Sequence, residues 1–141
     1  MLRFVPLVVV TICCVGCGGE TTRVVTQTSE NEMQLGREAF ERKDYEEAAK
    51  LFDGALRRGG LNADLGGEAL LMRAKACIKL GRLDDAQHDL EDASRGPVPP
   101  DEVLSAKGDI ALKQGDLDKA RSLYVDARKL NPTIALPDKL K

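Results

Sequence analysis

The 141 residues predict an all-α solenoid of three helical hairpins, and three observations carry that prediction. The first is self-similarity: "KDYEEAAKLFDGAL" from Lys43, "GRLDDAQHDLEDAS" from Gly81 and "GDLDKARSLYVDAR" from Gly115 start 38 and then 34 residues apart, a period of the length that stacked two-helix units require. The second is that small residues recur in register. Gly36, Ala74 and Gly108 form one column, Ala48, Ala86 and Ala120 a second, and Ala55, Ala93 and Ala127 a third. The third is composition: aromatic residues are 4% of the chain and Trp is absent, so the core has to be built from Ala, Leu and Gly, as closely packed helices allow.

Each copy reads as an apolar-periodic segment, a short turn at "RKDY", "LGRL" or "QGDL", and a second segment, which makes an antiparallel hairpin. The small columns mark where two backbones approach. Tyr45, Leu83 and Leu117, then Phe52, Leu90 and Tyr124, supply the bulk beside them. Gly81 and Gly115 stand where a first helix must end, a position that favours positive φ. Glu46, Glu47, Asp84 and Asp118 put negative charge in the first turn of the second helices, where the helix dipole favours it. The repeats are expected at about 29–62, 67–100 and 101–134, within a domain spanning 33–134. Four extra residues of the first copy fall in the Gly-rich connection "RGGLNADLGG". Residues 17–32, rich in Gly, Thr, Ser and Glu, are expected to be a flexible tether reaching on the order of 20 Å, in which Val24 and Val25 lack a strand partner. Residues 135–141 form a tail. The "TIALPDKLK" after Pro132 is too short for a further helix, so either Leu123, Leu130, Ile134 and Leu136 fold back on one another, or a partner or second copy covers that end.

Three of the four cysteines lie in "CCVGCGGE", from Cys13. The chain opens "MLR", runs uncharged through "FVPLVVVTICCV" and reaches the small residues "GCGG", the layout of a secretory signal over 1–16. The uncharged run from Phe4 to Gly19 falls short of the roughly 20 residues that span a bilayer. "CVGC" resembles the lipobox of bacterial lipoproteins, with Cys14 standing where that family usually has Leu. The resemblance implies that Cys17 becomes the lipid-bearing first residue, leaving Cys77 as the one free thiol. It also implies export and anchoring to a bacterial membrane, facing the periplasm or the exterior. Gly18 in place of Asp after the cysteine favours the outer membrane under enterobacterial-type sorting. The alternative is an ordinary signal-peptidase site, with Cys17 left to pair with Cys77.

Removing residues 1–16 takes only Arg3, which leaves 20 positive against 23 negative side chains. Without a basic excess, nucleic acid is not an expected partner. No nucleophile elbow, HExxH or phosphate-cradling loop is present, and no catalytic residue, metal site or cofactor is expected. His88 is read as a solvated residue and Cys77 as a small hydrophobe within the middle copy. The acidic "DDAQHDLED" scatters its carboxylates around a helix and lacks the Gly-centred loop of an EF-hand.

The 34-residue period and the order of small and large columns resemble the tetratricopeptide repeat, whose paired helices stack into a right-handed superhelix. Leu70 and Leu104 stand in a large apolar slot that this family often fills with Trp. Glu32 in that slot of the first copy departs from the pattern and suggests a frayed start. Pro132 closes the third copy in family fashion. The resemblance implies a concave groove lined by the first helix of each pair, which here carries over to Met33, Arg37, Leu71, Lys75, Lys79, Ser105, Asp109 and Lys113. Arg37, Lys75 and Asp109 occupy slots where the chaperone-binding, carboxylate-clamp type would have Asn, so that binding mode is not expected. The implied function is a scaffold or adaptor, not an enzyme. It would bind an extended segment or helix of another protein, an acidic one suiting the several cations, in a cell-envelope complex. The alternative is a structural lipoprotein that self-assembles through its last repeat.

Overall fold

The structure, a computed structural model, describes residues 19–141, with side chains described at residue 25 and from residue 27 onward. The signal segment, Cys17 and Gly18 lie outside the described residues. Six α-helices follow in order: α1 Gly19–Glu41, α2 Tyr45–Arg58, α3 Ala63–Leu80, α4 Leu83–Ala93, α5 Pro100–Gln114 and α6 Leu117–Leu130. A single 3₁₀ turn, Asp138–Leu140, ends the chain. They pair as three antiparallel hairpins, each packed on the next, which is the solenoid the repeat predicts. The first helices α1, α3 and α5 also touch in sequence, whereas α2, α4 and α6 do not reach one another. The stack therefore bends toward the first helices, whose row is the inner, concave side.

The hairpin turns share a left-handed residue and the same closing hydrogen bonds. Gly81 and Gly115 sit in the left-handed region at φ 80° and 83°, and the N–H groups of Gly81 and Arg82 close the helix on the carbonyls of Ile78 and Cys77. Lys43 takes the same position in the first copy at φ 65°, with Lys43 and Asp44 bonded back to Phe40 and Ala39. Asp44 and Asp116 then cap α2 and α6 by accepting from the N–H of Glu47 and Lys119. Proline at the first helical position starts α5, where the missing N–H is no loss.

The small columns do what close packing requires. A Cβ on Gly36 would stand 2.9 Å from the Phe52 ring, and one on Gly108 would stand 2.7 Å from the Tyr124 ring. Where the column holds Ala74, the facing column holds the smaller Leu90, and both are fully buried. Small and large thus compensate across the helix pair, keeping the gap filled at native density. All six Ala residues of the other two columns are fully buried.

Two expectations for the start of the domain are corrected. Residues 19–32, expected as a flexible tether, are helical and continuous with the first repeat. Ser29 is fully buried and its hydroxyl donates to the Gly59 carbonyl at 2.8 Å, while Met33 is 1% exposed. Polar composition misled here because Ser29 and Glu32 have partners on the neighbouring hairpin half. Nor is Glu32 a frayed departure: its carboxylate receives Arg58 Nε at 3.0 Å on both oxygens and lies against Gly54, so an ion pair fills the large slot.

At the other end the chain folds back on itself, the first of the two alternatives. Leu140 is 4% exposed and buried with Ala111, Ala120 and Tyr124, and Leu112, Leu123, Ile134 and Leu136 pack around them. Leu130 takes no part and is 56% exposed.

Candidate functional site

The eight groove residues divide sharply once placed. Met33, at 1% exposure, belongs to the core and offers no surface to a partner, which corrects its assignment to the groove; Leu71, at 4%, is a core residue whose edge reaches a cleft wall. They point inward because α1 and α3 pack against each other as well as against their own hairpin partners, so a residue on that flank is covered twice. Lys79 and Lys113 are exposed in the last turns of α3 and α5.

Arg37 and Lys75 lie on the inner side but are not free cations. Arg37 donates from Nε and Nη2 to Oε1 of Glu68 at 3.0 and 2.8 Å, joining α1 to α3. Lys75 donates to Oε2 of Glu102 at 2.8 Å, joining α3 to α5. The three first helices are thus bridged in succession by two equivalent ion pairs. Half-exposed as they are, each is worth about 1 kcal/mol or less, but together they set the charge that the inner face presents. Ser105 turns its hydroxyl onto the Glu102 carbonyl at 3.0 Å. Asp109 accepts the Tyr124 hydroxyl at 2.7 Å, and burial together with this acceptor pushes the phenol above its ordinary range.

On the same inner side, the start of α3, the α4–α5 loop and Glu102 enclose a cleft of about 360 Å³. Its walls include Leu71, Met72 and Val98, and its acidic residues are Asp64, Glu68 and Glu102. The loop is pressed onto α3 at Gly67, where a Cβ would stand 2.7 Å from Val98 Cγ2.

The outer side carries a different constellation that repeat reading alone did not single out. Arg73, on α3, donates Nε and Nη2 to both oxygens of Asp89 on α4, at 2.9 and 2.6 Å, and Nη1 to Asp53 on α2 at 2.8 Å. Asp89 is 3% exposed. Arg73 therefore joins two helices that do not touch, and Asp89 raises its pKa further. A signal was present in the alignment: the column of Asp89 holds Leu51 and Leu123 in the other copies, so a buried acid in an apolar column announces a buried partner. Cys77 and His88 line the cleft of about 480 Å³ beside this bridge. The Cys77 thiol is buried and desolvation raises its pKa, which makes it a poor nucleophile; His88 is 73% exposed and lies 3.6 Å from Asp92. Among the described residues no His, Cys, Asp and Glu cluster is arranged to hold a metal, and no described helix is long and apolar enough to cross a membrane.

Comparison with known proteins agrees with this geometry. Comparison with curated proteins finds no match. The TPR domain of Arabidopsis OM64 superimposes with a TM-score of 0.66 at 20% identity, covering 78% of this chain and 88% of that one. The first TPR of Spaghetti (RPAP3), described as bound to the HSP90 peptide SRMEEVD, does so with a TM-score of 0.64 at 19% identity, covering 77% and 83%. Both show the fold. Two family models described as tetratricopeptide repeat match consecutive stretches, residues 33–102 and 101–134, and with three hairpins at that period the chain belongs to the tetratricopeptide-repeat family.

Proposed function

We propose that this chain is a membrane-tethered adaptor: lipid on Cys17 gives it a place at a bacterial envelope, and the concave side holds a segment of another protein. The observation that supports this most is the inner row of α1, α3 and α5, which leaves a preformed cleft between the second and third repeats while the core behind it is closed. A solved relative in fold is described with a peptide bound. The carboxylate-clamp mode is not proposed, because Arg37 and Lys75 stand where that type has Asn and are engaged by Glu68 and Glu102.

Two measurements test the two halves separately. Intact mass and fractionation of the bacterially expressed protein, wild type beside Cys17→Ser, should give a lipid-bearing chain that starts at residue 17 and sediments with membranes, and a soluble Cys17→Ser chain. Equal solubility of the two overturns the anchor. Photocrosslinking residues placed at Lys79 and Lys113 should capture a discrete partner in cells, whereas one at Asp118 should not; capture from Asp118 alone overturns the concave reading.

A further inference from the structure

The partner's chemistry can be read from the cleft between α3 and the α4–α5 loop, on the premise that the concave side is the partner face. Three carboxylates, Asp64, Glu68 and Glu102, line this cleft, and no Lys or Arg does. Glu68 spends both bonds from Arg37 on Oε1, and Glu102 receives Lys75 on Oε2 alone. No hydrogen bond reaches their second oxygens among the described residues, and Asp64 is exposed with no partner there. A carboxylate has room for about four donors, so each keeps unused acceptor capacity. Two of the four cations that sequence reading offered to an acidic partner, Arg37 and Lys75, are already spent on these same acids. An acidic segment would have to displace them and then face Asp64.

Between the acids the cleft is apolar. Leu71 is buried, Met72 and Val98 are half-buried, and the loop that carries Val98 is held by Pro97 and Pro99. A volume of about 360 Å³ is within the range of clefts that seat a ligand group. Arg and Lys are the side chains that match an apolar wall with an acidic mouth, since their methylene stems cover apolar surface while the head reaches carboxylates. The guanidinium fork, with five donors, suits several such oxygens better than an ammonium. We propose that this cleft seats an arginine or lysine side chain carried on an apolar stretch of the partner protein, so that the partner segment is basic and not acidic.

The test uses the full chain and two labelled hexapeptides, one alternating leucine with arginine and one alternating leucine with glutamate, read by fluorescence anisotropy. The arginine peptide should bind saturably and about tenfold tighter than the glutamate peptide, the scale of one hydrogen bond to a charged group. Asp64→Lys should remove most of that preference. Asp118→Lys, an equal change of charge at an exposed position on α6, should leave it intact. Equal binding of the two peptides, no binding of the arginine peptide, or an equal loss in both variants overturns the proposal. A partner captured in cells from Lys79 or Lys113 without arginine-peptide binding overturns the basic-segment proposal alone. Arginine-peptide binding without any such capture overturns the adaptor reading alone.

Discussion

The outer face carries the same cleft twice, one repeat apart, and the two copies are chemically opposite. The first, between α2, α3 and α4, is walled by Asp53, Arg73, Cys77 and Asp89; the second, between α4, α5 and α6, has Glu91, Lys107, Ala111 and Leu123 in the equivalent columns. The backbone frame is common to both. What differs is that Asp89 needs a cation and Leu123 does not. A buried acid whose two oxygens are both held by one guanidinium makes the first cleft intolerant of change on either side. The second is filled by a side chain that also belongs to the apolar cluster under the tail. One junction is thus specified by a charge pair and the other by a folded-back tail.

The largest test of this contrast is Arg73→Ala. It leaves Asp89 buried and unpaired, and the expected loss in urea denaturation is about 3 kcal/mol. Replacing both partners by the leucines of their own columns, Arg73→Leu with Asp89→Leu, should restore stability to within about 1 kcal/mol, because no charge is then stranded. If the double variant is as weak as the single one, the ion pair supplies more than mutual satisfaction and the comparison fails.

Next in size is Leu140→Glu. Removing a buried leucine from the tail cluster and putting a charge in its place should lower stability by about 2–3 kcal/mol. Hydrogen exchange locates the effect. Amides of α6 should open faster while those of α2, α3 and α4, whose side chains belong to the larger core cluster, stay protected. Uniform loss of protection would show that the two junctions are one cooperative unit.

A smaller effect separates the two hydrogen-bonded acids of the inner and outer sides. Tyr124 donates to Asp109, and its phenol is raised above the ordinary value, so the folded state keeps the proton that an unfolded phenol gives up near pH 10. That stability is full below about pH 10 and falls as pH rises toward the folded pKa, by about 1.4 kcal/mol at pH 11. Tyr124→Phe should flatten this alkaline loss relative to wild type in a Tyr45→Phe background, while the Arg73 bridge, whose guanidinium stays charged, should contribute nothing to it. An unchanged alkaline slope would mean that the phenol is solvated.

These contrasts show how far the sequence reaches. The hairpins, their turns and the compensating columns were legible because one repeat corroborates another: Gly36 with Phe52 and Gly108 with Tyr124 say the same thing twice. Features that occur once were not. The helical start of α1 hides behind polar composition, since nothing in "TTRVVTQTSENE" shows that Ser29 will find the Gly59 carbonyl. Leu140 was invisible because a cap made by an irregular tail has no period. On the inner face the engagement of Arg37 and Lys75 was not legible, for pairing with Glu68 and Glu102 depends on how far one repeat is rotated against the next. Asp89 is the instructive middle case, a departure from its own column that flags a partner without naming it.

The smallest expected effect is the most direct check on the comparison. Lys107 stands in the column of Arg73 and lines the second cleft, half-buried, with no ion-pair partner among the described residues. Its stem covers part of the wall formed by Leu123, so Lys107→Ala removes a little apolar contact and no charge partner. The expected change is within about 0.5 kcal/mol, against roughly 3 kcal/mol for Arg73→Ala at the equivalent place. A ratio that large between two residues sharing a column, a helix face and a cleft can come only from what stands opposite: an acid that must be neutralised in one repeat, and a leucine in the other. If Lys107→Ala instead costs more than about 1 kcal/mol, Glu91 must be drawn into the second cleft on packing, and the two junctions are ionic variants of one design.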